Sequence, residues 1–195
     1  MAPRIAAVCV LLALGGCSGG GGGGGNEAEG SPPDWPAPPS PMALTVKAGL
    51  VPERAEFLQY HVHAHLDVFF NGDPLVVPAG IGIDATNPAV ISDDRGVGLT
   101  RECEKPCISP LHTHAEDGVL HTETKTPQPN TLGQFFTEWD VALEPGRVGD
   151  YSDVKFYVDG EKLDTDPREI ELSDGREIAI VIGSAPDEIP SEFPQ

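Results

Sequence analysis

The sequence predicts a β-rich α+β domain of antiparallel or mixed strands and hairpins, with one main helix. Short apolar runs, some of them alternating, end at Asn-Gly or Asp-Gly dipeptides, which is the pattern of strands joined by tight turns. One segment, 131–143, instead carries apolar residues at helical spacing. We expect this helix to pack on the sheet within a single domain over 42–195.

The first predicted hairpin follows the order strand, turn, strand. A strand over Tyr60–Phe70 leads into the turn Asn71-Gly72, and an apolar run resumes at 75–77. The region 84–105 contains an Asn-Pro dipeptide, an Asp-Asp pair and several glycines. That composition predicts a long loop.

A second hairpin and a final group of strands complete the predicted sheet. Two short extended runs, 108–114 and 119–122, flank a turn at 115–118. Toward the end of the chain, further strands are predicted at 153–158, 169–172 and 177–182.

The predicted helix, 131–143, has both a start signal and an apolar face. Thr131 can cap its first turn, and Gln134 stands three residues later, as in a capping box. The apolar face is formed by Leu132, Phe135, Phe136 and Trp139. We expect this face to lie in the core rather than to bind a ligand, because its spacing is simply helical.

The first sixteen residues have the features of an export signal. Arg4 precedes an apolar run over 5–14, which is too short to span a bilayer as a permanent helix. The run ends in the tetrapeptide Leu-Gly-Gly-Cys, which resembles the lipobox of bacterial lipoproteins. This resemblance implies removal of residues 1–16, a lipid on Cys17, and a location at the cell membrane, facing outside the cytoplasm.

The segment 17–41 has the composition of a tether. Residues 18–25 are almost pure glycine, and residues 26–41 are rich in proline and acidic side chains. Such segments bury too little apolar surface to offset the entropy of ordering them. We therefore expect a flexible spacer followed by a stiffer one.

The chain is strongly acidic, with a formal net charge of -19 from 12 basic and 31 acidic residues. A surface of this charge repels phosphate backbones and anionic lipid head groups. We therefore expect no nucleic-acid partner and no basic membrane-contact surface. The charge favours cations as ligands.

The four cysteines fall into two groups. Cys9 lies in the predicted signal peptide, and Cys17 is the predicted lipid attachment site. The domain then holds Cys103 and Cys107, in a compartment where thiols tend to pair. We therefore expect a local disulfide between Cys103 and Cys107, with metal ligation as the alternative.

The six histidines lie in two clusters, and this segregation is the strongest functional signal in the sequence. Alternate side chains of a strand share one face. His61, His63 and His65 would therefore line one face of the first strand, together with Asp67. The apolar residues between them would point into the core.

The second histidine cluster surrounds the predicted turn at 115–118. In that register His112 lies directly across from His121, and His114 lies diagonal to both. Charged imidazoles stacked in this way would repel, and neutral ones would leave ring nitrogens unpaired. A cation shared among them is the natural way to satisfy the site.

We expect the histidine ligands to hold zinc or copper(II), in one site or in two. Imidazole suits both ions, and the chain's two methionines, Met1 and Met42, are too few to indicate a copper(I) site. Acidic side chains that could orient the rings from outside the ligand shell are Asp67, Glu116, Asp117 and Glu123.

These motifs resemble an uncharacterised family of exported bacterial and archaeal proteins. Its hallmarks are an HxHxHL strand leading to an Asn-Gly turn and a later HTHxxxGxxHxE segment. The matching residues are His61, His63, His65, Leu66, Asn71, Gly72, Leu111, His112, Thr113, His114, Gly118, His121 and Glu123, then the run 131–136 and Trp139. The likeness covers about Tyr60 to Gly183 and implies one domain in which both clusters matter, without implying a reaction. The family has one cysteine before HTH, whereas this chain has Cys103 as well as Cys107.

Three functions are compatible with these observations. The first, which we favour, is a membrane-anchored extracytoplasmic metal-binding protein, such as a carrier, scavenger or sensor. The second is a metal-dependent enzyme of the hydrolase or hydratase type, because three histidines and one open position present catalytic zinc. The third is a metal-free module that binds a partner or responds to pH through its histidines.

Overall fold

The computed structural model describes residues 27–194, so the predicted signal peptide, Cys17 and the glycine run lie outside the described residues. Within them the fold is β-rich, with two short α-helices, α1 (Pro41–Lys47) and α2 (Leu132–Glu138). No helix of residues 27–194 is long and apolar enough to cross a membrane. The strands are, in chain order, β1 (Tyr60–Phe70), β2 (Asp73–Leu75), β3 (Val90–Asp93), β4 (Gly96–Leu99), β5 (Leu111–His112), β6 (Val119–Thr124), β7 (Leu143–Glu144), β8 (Arg147–Val148), β9 (Tyr151–Ser152), β10 (Lys155–Val158), β11 (Glu161–Lys162) and β12 (Arg176–Ile182).

The largest sheet is mixed, as the sequence allows. Its strand order is β11-β10-β12-β1-β6-β5, and β2 also pairs with β1. Strands β1 and β12 are parallel, whereas the other neighbours in this sheet are antiparallel. Two small antiparallel sheets, β3-β4 and β7-β8-β9, accompany it.

Strand β1 has two chemically different faces because its alternate residues point to opposite sides. Ala64, Leu66 and Val68 are each 1% exposed and belong to the main core, into which α2 also packs. His61 and His63 stand on the other face. The core therefore fixes the side of the sheet from which the histidines project.

The predicted Asn71-Gly72 turn between β1 and β2 is confirmed. It joins Phe70 to Asp73, with φ of 50° at Asn71 and 88° at Gly72. Tight two-residue hairpin turns favour positive φ because the turn must match the right-handed twist of the strands. Asparagine and glycine are the residues that adopt this conformation most easily.

Helix α2 begins as predicted but ends earlier than residue 143. The Thr131 side chain accepts a hydrogen bond from the Gln134 backbone N–H, and the Gln134 side chain accepts one from the Thr131 N–H. The helix ends at Glu138 because Asp140 takes a left-handed φ of 58°, which closes a helix. The predicted apolar face is buried in the main core: Leu132, Phe135, Phe136 and Trp139.

Part of the predicted tether, residues 27–41, packs against the domain. The Trp35 ring meets the Trp139 ring edge-on, with centroids 5.8 Å apart, and the Trp35 carbonyl accepts a hydrogen bond from Trp139 Nε1 at 2.9 Å. The Tyr151 hydroxyl donates to the Ser31 carbonyl at 2.7 Å. A partly buried indole contributes apolar contact that orders a short segment, even where the composition is rich in proline.

The region 84–105 also differs from the long loop that was predicted, because it contains the β3-β4 hairpin. Shortly after this hairpin, Cys103 and Cys107 are joined by a disulfide and are fully buried. They form a second small core with Val97 and Ile108, among others. This second core holds the β3-β4 hairpin in place.

The predicted strand 169–172 does not form, and a short 3-10 turn, Pro167–Glu169, ends at its first residue. Asp166 caps this turn by accepting a hydrogen bond from the Arg168 backbone N–H at 3.0 Å. Proline after a capping aspartate favours a helical turn over a strand. Within the predicted strand, Glu171 forms a single antiparallel β-bridge with Thr131, the residue before α2.

Glu138 is a buried acidic residue that joins three parts of the fold. Its Oε1 accepts a hydrogen bond from Ser109 Oγ at 2.6 Å, and its Oε2 accepts one from Thr45 Oγ1 at 3.0 Å. Helix α1, helix α2 and the segment before β5 therefore meet at one carboxyl group. Burial disfavours the charged form and raises the pKa of Glu138 to about 7, although both hydrogen bonds oppose the shift.

Glu138 should make the stability of the protein depend on pH. Between the ordinary pKa of 4.5 and the native pKa of about 7, the folded state binds a proton that the unfolded state lacks. The stabilisation that Glu138 gives the folded state is therefore complete below pH 4.5, and it is lost as pH rises through the native pKa of about 7. The loss is on the order of 3 kcal/mol, because each pKa unit corresponds to about 1.4 kcal/mol.

Urea unfolding of the wild type and of Glu138→Gln, repeated across this pH range, measures the effect. The glutamine cannot titrate, so we expect the stability of the wild type to fall relative to the variant as pH rises. A difference between the two proteins that stays constant with pH would contradict this role of Glu138.

Candidate metal centre

Three neighbouring strands, β1, β6 and β5, place histidines in a row across the sheet. His63 pairs with His121 between β1 and β6, and His121 pairs with His112 between β6 and β5. The ring centroids of His63 and His121 are 4.5 Å apart, and those of His121 and His112 are 5.5 Å apart. The predicted position of His112 opposite His121 is confirmed.

Two more histidines and one glutamate adjoin this row. His61 pairs with Glu123 across β1 and β6, and His114 follows β5 with its ring centroid 4.7 Å from that of His121. We refer to the whole set as the histidine cluster: His61, His63, His112, His114, His121 and Glu123. The two histidine motifs of the sequence therefore meet in space.

The backbone fixes the tautomer of His112. Its Nδ1 lies 2.8 Å from the Ser109 carbonyl oxygen, which can only accept, so Nδ1 carries the proton. Burial and the neighbouring His114 lower the pKa of His112 to about 3, so the ring is neutral at neutral pH. The lone pair of Nε2 is then free to bind a cation.

His114 is oriented in the same way from another segment. Its Nδ1 donates to the Val97 carbonyl on β4 at 2.7 Å, so Nε2 is the ring nitrogen that can present a lone pair to a metal. That atom lies 3.0 Å from Nε2 of His112. Two nitrogens bound to one tetrahedral zinc ion lie about 3.3 Å apart, because each Zn–N bond is about 2.0–2.1 Å, so a small separation of the rings would admit the ion.

Glu123 supplies negative charge inside the cluster. Burial favours its neutral form, but close contact with His121, whose Nδ1 lies 3.6 Å from Oε1, and the charges of His112, His61 and His121 outweigh burial and hold the pKa of Glu123 below its ordinary value. Among the described residues, Glu123 Oε2 and His121 Nδ1 are buried without a hydrogen-bond partner. A cation between these atoms would satisfy both.

The ligand atoms of the cluster fall into two sets that could each hold a metal ion, and within each set the atoms lie within 4.8 Å of one another. The inner site consists of His112, His114, His121 and Glu123. The outer site consists of His61, His63 and His121. His121 belongs to both sites.

His65, which the sequence groups with His61 and His63, lies apart from the cluster. Its Nδ1 contacts Glu177 Oε2 at 2.9 Å, and its Nε2 donates to the Asp117 carbonyl at 2.9 Å. Burial opposes protonation, but the hydrogen bond and charge of Glu177 prevail and raise the pKa of His65. Both ring nitrogens of His65 are thus engaged by protein groups, although His65, Asp67 and Glu177 are close enough to form a third candidate group.

Two acidic residues have roles that the sequence analysis missed. Glu123 was expected outside the ligand shell, but it lies among the candidate ligand atoms, because it stands two residues after His121 on the same strand face. The two-residue spacing of His121 and Glu123 in the sequence could have predicted that they share a face. Glu177 faces His65 through the parallel pairing of β1 with β12, which joins residues 112 positions apart and leaves no local signal.

A surface cleft of about 250 Å³ reaches the cluster at Glu123. Val51, Phe57 and Lys125 also line this cleft, with the Lys125 ammonium 4.0 Å above the centre of the Phe57 ring. Glu123 is therefore the point at which the cluster and the cleft meet.

Comparisons of this chain with protein-family models, with curated proteins and with solved structures found no match. The geometry of the histidine cluster therefore carries the functional inference.

The turn before β6 should be intolerant of a side chain at Gly118. This residue has φ of +77°, and a Cβ there would lie 2.7 Å from the Leu66 carbonyl and 2.8 Å from His65 Nε2. Gly146 is a matched control, because it has φ of +73° but nothing within 4 Å of the added Cβ. We expect Gly118→Ala to lower the free energy of unfolding by roughly 1–3 kcal/mol more than Gly146→Ala, because only the former creates a clash. Equal losses in urea unfolding would contradict the close packing of this turn.

Proposed function

We propose that this protein binds a divalent metal ion, zinc or copper(II), at the inner site, and that it does so outside the cytoplasm, attached to a membrane through lipid on Cys17. One observation carries the metal-binding part. The Nε2 atoms of His112 and His114 are 3.0 Å apart, while each Nδ1 faces a backbone carbonyl. When both rings carry their single proton on Nδ1, the two Nε2 lone pairs face each other, and a shared cation would bind both.

The set of ligands supports zinc or copper(II). Three imidazoles and one carboxylate give four ligands, the number that tetrahedral zinc takes in proteins. Imidazole is also a preferred ligand of copper(II). The Ser109 and Val97 carbonyls orient the rings from behind, as outer-shell partners do in metal sites.

Partial exposure supports binding of an exchangeable ion rather than a closed structural one. The His112 and Glu123 side chains are 1% and 4% exposed, whereas that of His114 is 27% exposed. An ion at the inner site would be held by buried ligands and reached from one side. A carrier, scavenger or sensor needs this combination.

Elemental analysis of the purified full-length chain, without a histidine tag, tests the proposal after equilibration with zinc or copper(II) at neutral pH. We expect at least one tightly bound ion per chain. A metal content no higher than that of a protein without a histidine cluster would overturn the proposed function and favour the metal-free partner-binding alternative.

Removal of an inner-site ligand should weaken binding strongly. We expect His114→Ala and Glu123→Gln each to lower the affinity for zinc at least about 100-fold, since even outer-shell changes cost about 10–100-fold. Calorimetric titration measures this. Glu161→Gln, which makes the same charge change as Glu123→Gln at an exposed position on β11, is the matched control and should bind like the wild type. Equal affinities for Glu123→Gln and Glu161→Gln would exclude Glu123 as a ligand.

The proposed anchor has its own test. Cys17 follows the predicted signal peptide, and a lipid attached there would hold the chain at a membrane. In a bacterial host, we expect the wild type in the membrane fraction with incorporated palmitate, and Cys17→Ser without either. Palmitate labelling of Cys17→Ser equal to that of the wild type would contradict lipid attachment at Cys17.

A further inference from the structure

The inner and outer sites are adjacent, and they share a ligand. His121 lies between His112 and His63 in the row across the sheet. The His61 ring stacks on the other side of His121, with centroids 6.0 Å apart, and meets the His63 ring at 4.5 Å. A neutral imidazole offers one lone pair, so His121 binds either ion as it stands and binds both only as an imidazolate, after releasing its remaining ring proton to solvent.

We infer that the histidine cluster is a binuclear centre, with one divalent ion in the inner site, a second in the outer site, and Glu123 and His121 between them. This inference rests on the proposed function of the inner site and adds a second ion to it.

The position of Glu123 is the first support. Its Oε1 lies 3.2 Å from His61 Nε2, and its Oε2 lies 4.0 Å from His112 Nε2. The two oxygens of one carboxylate therefore face histidines of different sites. A carboxylate placed in this way can bridge two ions, which in two-metal sites are typically about 3.5–4 Å apart.

The charge around the cluster is the second support. Two divalent ions bring four positive charges together, and their repulsion must be offset by nearby anions. Besides Glu123, Glu56 Oε1 lies 4.0 Å from His114 Nε2, and the Asp174 carboxylate accepts a hydrogen bond from the His63 backbone N–H at 3.0 Å. These acidic groups stand on opposite sides of the cluster, one beside each site.

Differences in exposure predict that the two sites fill in order. The His61 side chain is 33% exposed, against 1% for His112, and the outer site has three histidine ligands without a carboxylate of its own. The inner site should therefore bind the first ion more tightly. The outer site should bind the second ion more weakly and exchange it faster with solution.

Copper(II) titration of the full-length chain, followed by equilibrium dialysis and electron paramagnetic resonance, tests the inference. We expect two ions per chain. The spectrum should show an isolated copper(II) signal up to one equivalent and lose intensity toward two equivalents, because ions a few ångströms apart couple magnetically. His63→Ala should bind one ion and keep the uncoupled signal. Val62→Ala, which truncates the adjacent residue on the opposite face of β1, is the matched control and should bind two.

Each other outcome is decisive. One ion in the wild type, with no change in His63→Ala, would overturn the binuclear centre and leave the proposed function intact. Two ions with an uncoupled signal would place the second ion elsewhere and would also overturn it. No bound ion would overturn both proposals. If circular dichroism shows that His63→Ala does not fold, His61→Ala replaces it, because that ring is more exposed and its removal disturbs less packing.

Discussion

Strand β6 lies between β1 and β5, and its pairing sets His121 opposite His63 on one side and His112 on the other. Side chains alternate along a strand, so a slip of one residue would turn His121 into the main core and bring Leu120 out onto the histidine face. Leu120 and Ala64 are each 1% exposed, and their burial opposes such a slip. The apolar contacts that stabilise the sheet therefore also determine which imidazoles meet.

The second small core also orients a ring of the cluster, because it positions the carbonyl that binds His114 Nδ1. The Val97 N–H donates to the His114 carbonyl at 2.7 Å, and His114 Nδ1 donates back to the Val97 carbonyl at 2.7 Å. Val97 packs in the same small core as the disulfide of Cys103 and Cys107, which holds the β3-β4 hairpin against the cluster. The cysteines thus contribute to the site by positioning a carbonyl, and being bonded to each other they are not free as thiolate ligands.

Local features were predictable from the sequence, and features that join distant segments were not. The Asn71-Gly72 turn, the capping box at Thr131 and the position of His112 opposite His121 each depend on neighbouring residues, and they were predicted correctly. The pairing of β1 with both β6 and β12 joins segments far apart in the chain, so the sequence could not show that the two motifs meet or that His65 faces Glu177. The packed segment around Trp35 was not predicted, because the composition of a segment does not show that one of its aromatic residues packs against a distant one such as Trp139.

X-ray absorption spectroscopy of the chain loaded with one equivalent of zinc tests the central claim most directly, because it reports the atoms bound to the ion. We expect nitrogen and oxygen ligands at about 2.0–2.1 Å, with the outer-shell scattering of several imidazole rings. Sulfur at about 2.3 Å, or a shell of oxygen without imidazole scattering, would show that the histidine cluster does not hold the metal.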